Sequence, residues 1–87
     1  RLIDEGAVRA FLAGQPGVEA VHDLHIWGMS TTESALTAHL VIPGGVRGDT
    51  YLRELAKALE TGFGIHHATI QIEQTRDGCS LPDAHGH

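Results

Sequence analysis

Val21-His22-Asp23-Leu24-His25-Ile26-Trp27 places two imidazoles and a carboxylate within four consecutive positions of a run that reads as a β-strand. A second strand-like run, Leu36-Thr37-Ala38-His39-Leu40-Val41-Ile42, carries another imidazole. A third, Ala68-Thr69-Ile70-Gln71-Ile72-Glu73, ends in a carboxylate and follows His66 and His67. Nitrogen and oxygen donors of this kind suit borderline divalent cations of the zinc type. The remaining segments must be arranged around three strands that each bring a candidate ligand.

Upstream, Ile3, Ala7, Val8, Phe11 and Leu12 recur at helical spacing, which predicts a helix over Leu2 to Ala13. Asp4 and Glu5 fall in its first turn, where the helix dipole favours anions. Gly14 is its expected C-cap, and Gln15-Pro16-Gly17 cannot continue it. Strand 1 then runs from Val18 to Trp27. Strict alternation turns Leu24 and Ile26 one way and Asp23, His25 and Trp27 the other. The polar stretch Gly28 to Ser34 is short, so strand 2, Ala35 to Ile42, returns as an antiparallel hairpin. Leu36, Ala38, Leu40 and Ile42 share its apolar face.

Pro43-Gly44-Gly45 ends that strand. Leu52, Leu55, Ala56 and Leu59 predict a second amphipathic helix over Asp49 to Thr61, with Asp49 as N-cap and Gly62 as C-cap. Strand 3, Ala68 to Glu73, turns Ala68, Ile70 and Ile72 inward. The order α-β-β-α-β gives an α+β fold, a two-layer sandwich with both helices on one face of a three-stranded sheet. That is a ferredoxin-like arrangement lacking its first strand. Residues 1–76 form the domain, and 77–87 read as a loosely ordered, His-containing tail.

An 87-residue chain has a thin core, which metal or oligomerisation commonly supplements. A single cysteine, Cys79, excludes an internal disulfide and suits a reducing compartment. A net charge of −5 with seven histidines disfavours nucleic acid and anionic lipid and is compatible with cations. No run approaches the ~20 apolar residues of a membrane helix. The chain begins with Arg1 rather than methionine, so it reads as an excised domain with any membrane part outside it.

Each candidate ligand has a plain structural alternative. His22 and His39 lie close across the hairpin, yet alternation puts His22 on the Leu24 face and His39 on the opposite one. They share a metal only if the strand bends at His22; otherwise they are two ordinary hydrogen-bonded histidines. On spacing alone Glu73 is a solvated strand-end carboxylate and Asp49 a helix cap. His66 and His67 are adjacent, so at most one joins a given site. His25, beside Trp27, reads as a packed or partner-facing residue. Cys79 lacks the Cys-x-x-Cys partner of a strong zinc signature, and His85 and His87 are a weak cation-collecting end. No nucleophile motif or Gly-rich phosphate loop points to an enzyme.

The His22 run, Ala38-His39-Leu40-Val41 and His66-x3-Ile70-Gln71-Ile72-Glu73 resemble the C-terminal cytoplasmic domain of cation diffusion facilitator transporters. Bacterial cadmium, zinc and cobalt exporters and animal zinc transporters are the nearest likenesses. The resemblance runs from about Leu2 to Ser80. It implies a metallochaperone-like fold that dimerises below a membrane domain, on the cytoplasmic side of the bacterial inner membrane. It implies divalent metal binding that regulates proton-coupled export. By position, His22 and His39 match the family's paired ligands and Glu73 its carboxylate. Asp49 matches a ligand that some members draw from the partner subunit. His66 and Cys79 approximate a second site in animal members, which carry a cysteine pair where this chain has one. Gln71 stands where some bacterial members carry a ligating histidine.

The expectation is a regulatory metal-binding and dimerisation domain of a zinc-type exporter, not an enzyme. Zn2+ is the expected ion, with Co2+, Cd2+ and Ni2+ close competitors because such sites discriminate weakly. Two rival readings share the fold type. One is a soluble metallochaperone, which normally shows an exposed Cys-x-x-Cys. The other is a small-molecule sensing module with structural histidines.

Overall fold

The computed structural model describes residues 3–45 and 48–74. Five elements follow in the order α1 (Glu5–Ala13), β1 (Ala20–Gly28), β2 (Ser34–Val41), α2 (Asp49–Phe63) and β3 (His67–Glu73). The three strands form one sheet in the order β1-β2-β3. β1 and β2 are antiparallel, joined by the short hairpin, while β2 and β3 are parallel, joined by the α2 crossover. In a complete ferredoxin-like sheet an additional strand separates the two crossover partners. Without it they pair directly, and the sheet is mixed.

Sequence sets the ends of the helices through local hydrogen bonding. Asp4 is the N-cap of α1, its Oδ1 accepting from the Ala7 N–H at 3.1 Å. Gly14 caps the other end, its N–H donating to the carbonyls of Ala10 and Phe11. At α2 two expectations are corrected. The N-cap is Gly48, at φ 99°, and Asp49 is the first helical residue, where its charge faces the helix dipole. The C-cap is Gly64, not Gly62, because Phe63 still has an apolar surface to bury against Phe11, at 5.6 Å between ring centroids. Gly64 takes the left-handed conformation, φ 73° and ψ 23°, that a side chain resists there.

Both helices cover the same face of the sheet. Val8 and Leu12 of α1 and Leu55 and Leu59 of α2 pack with Leu24, Leu36, Ala38, Leu40, Ile42 and Ile65 into one buried cluster. Burying a side chain such as Leu40 or Leu59 stabilises the fold by about 1.5–3 kcal/mol each. Among the described residues the other face of the sheet carries no helix. It presents His22, His39, Gln71 and Glu73 near one end and Trp27, which is 48% exposed, near the other.

Candidate metal centre

Residues directly opposite one another across an antiparallel pair point to the same side of the sheet. His22 lies directly opposite His39, and His25 lies opposite Thr37. Two residues of β1, Asp23 and Leu24, therefore stand against the single residue Ala38 of β2. This is a β-bulge, an extra residue that bends the strand and resets its alternation. Asp23 absorbs the distortion, with the one positive φ among the described non-glycine residues, 51°. Asp tolerates this left-handed region better than most side chains.

The consequence corrects the alternation expected from sequence. Below the bulge Leu24 and Ile26 point inward, as expected. Above it the parity reverses, so Val21 packs toward the core and His22 turns to the helix-free face. His22 and His39 thus lie side by side on that face. β3 completes the row, with Gln71 beside His39 and Glu73 beside Val41 in the parallel register.

Glu73 Oε2 lies 3.6 Å from His39 Nδ1, and Asp23 Oδ2 lies 3.4 Å from the same nitrogen. Gln71 Nε2 donates to Glu73 Oε2 at 3.1 Å and fixes that carboxylate toward the histidine. The Glu73 side chain is 13% exposed, so the solvated strand-end carboxylate suggested by spacing does not hold. The chain's last strand residue lies against β2 instead of ending in water.

His22 Nε2 and His39 Nδ1 are both buried and have no hydrogen-bond partner among the described residues. Leaving a buried polar atom unpaired costs about 1–3 kcal/mol, and native proteins keep few of them. Two such nitrogens on paired residues, with carboxylates beside them, fit a divalent cation. A neutral imidazole nitrogen supplies a lone pair, and each carboxylate offsets charge. Among the described residues no three His, Cys, Asp or Glu side chains already converge as a metal cage. The arrangement is a set of neighbouring donors that an ion would draw together.

The other candidates lie elsewhere. Asp49 begins α2, in the helix layer, so the sheet separates it from His22 and His39 within one chain. His66 is exposed at the opposite end of β3 from Glu73, roughly 20 Å along the strand, and its N–H donates to the Ser34 carbonyl. Cys79, His85 and His87 lie outside the described residues. His25 is exposed on the same face as His39, one row further along. His67 pairs with Glu33 at 3.1 Å beside the hairpin loop. A cleft of about 590 Å³ lies near there too, lined in part by Ile26, Trp27, Phe63 and His66, and is distinct from the His22 cluster.

Asp23 is the carboxylate that strict alternation turned away from His22 and that the structure places beside His39. The signal was present in the apolar spacing: Val21, Leu24 and Ile26 all face the core, and a three-residue step inside a two-residue period marks a bulge.

The sequence model described as "Cation efflux protein, cytoplasmic domain" matches residues 2–75. The chain is 36% identical over 74 residues to the probable proton-coupled zinc antiporter SLC30A3 of Mus musculus, covering 85% of this chain and 19% of that protein. It is 36% identical over 86 residues to the metal cation efflux system protein CzcD of Cupriavidus metallidurans, covering 98% of this chain and 27% of that one. The chain thus spans about a fifth to a quarter of the length of these relatives. Among solved structures, the metal-bound C-terminal domain of the CzcD transporter matches with a TM-score of 0.71 and 38% identity. That match covers 82% of this chain and 99% of the other.

Proposed function

The chain belongs to the cytoplasmic-domain family of cation efflux proteins, and on that premise we propose that it is a metal-responsive regulatory and dimerisation module. The full protein is a zinc-type divalent-cation exporter, and this part binds cytoplasmic metal rather than moving it across the membrane. No helix among the described residues is long and apolar enough to cross a membrane. The chain covers 19% and 27% of the two relatives named above, and the transport pathway is assigned to the rest of the protein.

The observation that carries this reading is the pair of buried, unpartnered nitrogens on His22 and His39, next to the Glu73 carboxylate. These three side chains hold the ion. One position is left for Asp49 of the partner subunit, a water, or a donor nearer at hand. His66 and Cys79 contribute at most a separate second site. Zinc suits the mixed nitrogen and oxygen set, and the relatives named above include a zinc antiporter. Co2+, Ni2+ and Cd2+ compete, because such donors rank metals by general affinity more than by fit.

The module works as a homodimer. Trp27 is exposed on the helix-free face, where a large aromatic ring favours an interface. Each chain carries −5, so two chains repel, and a cation bound at the acidic face reduces that repulsion. Metal binding then favours the closer arrangement of subunits by no more than its differential affinity for it. Calorimetric titration of the chain with zinc, with sedimentation of the same samples, tests the reading. Expected are one tight zinc per chain and a dimer strengthened by zinc. A chain that binds zinc no better than an unstructured histidine peptide contradicts it.

A further inference from the structure

The site described above has three donors and a tetrahedral ion has four positions. A further carboxylate, Asp23, lies beside them. Its Oδ2 is 3.4 Å from His39 Nδ1, and Glu73 Oε2 is 3.6 Å from the same nitrogen. His39 Nδ1 nevertheless has no hydrogen-bond partner among the described residues. Both oxygens sit slightly too far or too poorly aligned to bond the ring. They sit at another characteristic separation. Ligand atoms bound tetrahedrally to zinc at about 2.0–2.2 Å are about 3.3–3.6 Å from one another, because that is the edge of the tetrahedron. Both separations fall on this edge.

Resting on the zinc-binding reading above, we propose that Asp23 is the fourth metal donor, and that it closes the site within a single subunit. The donor set is His22 Nε2, His39 Nδ1, Glu73 Oε2 and Asp23 Oδ2, with no requirement for Asp49 of the partner subunit. The bulge explains how residues adjacent in sequence can both serve. Neighbours on a regular strand point to opposite faces, but the extra residue at φ 51° swings the Asp23 carboxylate to the face that His22 occupies.

The two carboxylates differ in a way that suits sequential capture. Glu73 is 13% exposed and already tied by Gln71, whereas Asp23 is 60% exposed and lies beside His39 without a hydrogen bond to it. Two carboxylates on either side of one imidazole repel each other, and a cation between them replaces that repulsion by attraction. An arriving cation meets the half-buried imidazoles and Glu73, and Asp23 closes over it from the solvent side. Dimer strengthening then follows from charge neutralisation and not from a shared ligand.

The test compares the wild-type chain with Asp23→Asn, Asp23→Gly and Asp49→Asn. Asn and Gly both accept the left-handed backbone, so the bulge survives in each. Zinc affinity is read by competition titration and coordination geometry by the visible spectrum of the Co2+ form. The proposal expects a loss of about a hundredfold in both Asp23 variants, a weakened tetrahedral Co2+ spectrum, and wild-type behaviour in Asp49→Asn. Wild-type affinity and spectrum in Asp23→Asn and Asp23→Gly, or a loss confined to Asp49→Asn, overturns the assignment while zinc binding itself stands. A wild-type chain that takes up neither Zn2+ nor Co2+ overturns the zinc-binding reading and this one with it.

Discussion

Deleting Asp23 removes the extra residue of the bulge and leaves the pairing on either side of it in place. His22 then directly precedes Leu24, which stands alone opposite Ala38, so regular alternation keeps His22 opposite His39 and Val21 toward the core. Relief of the left-handed backbone at position 23 returns about 1 kcal/mol. The deletion variant should therefore fold and be as stable as the wild type or up to about 1 kcal/mol more stable. A chain of 87 residues has about 4–13 kcal/mol of stability, so the change is a small part of the total.

Metal affinity is what should fall. A full structural zinc site is worth about 10–16 kcal/mol, or about 2.5–4 kcal/mol per donor when shared among four. The deletion and Asp23→Gly both take away the carboxylate and leave His22 facing His39, so each should lose about a hundredfold in zinc Kd. The assay is zinc competition titration alongside circular dichroism and urea unfolding of the same samples. If the deletion variant keeps its fold and binds zinc as tightly as the wild type, Asp23 is not a donor; if it loses far more than Asp23→Gly, the facing of His22 and His39 depends on the bulge itself, and in either case the reasoning fails.

Two further outcomes follow from the same geometry. His22→Ala and His39→Ala should each weaken the tightest zinc site by at least a hundredfold while His25→Ala does not, as read by titration; an equal loss in all three would assign the site to the wrong imidazole. Leu59→Ala should lower stability by about 2–5 kcal/mol, and Gly64→Ala by about 1–2 kcal/mol through its left-handed cap, both measured by urea unfolding with zinc affinity of the folded protein unchanged.

Sequence was a good guide to the layers and a poor one to parity. Helical spacing at Val8 and Leu12 and at Leu55 and Leu59, and alternation through Leu36 to Ile42, follow from burial on one face. Those residues have no other way to leave water, so α1, α2 and the hairpin were readable. Helix ends were harder, because several glycines compete to terminate α2 and packing of Phe63 decides in favour of Gly64. The bulge was hidden because its left-handed residue is an aspartate, where a glycine would have announced the turn. With it were hidden the shared facing of His22 and His39 and the approach of Asp23. The burial of Glu73 depends on the parallel register with β2, a long-range pairing that no local pattern encodes.

The central claim is that the helix-free face holds a divalent cation at His22 and His39. It is tested most directly by an anomalous-difference map at the zinc edge from crystals of the chain grown with zinc. The account predicts the strongest peak within about 2.0–2.2 Å of His22 Nε2, His39 Nδ1 and a Glu73 oxygen. A strongest peak at Glu33 and His67, or on the tail histidines His85 and His87, with none at His39, would contradict it.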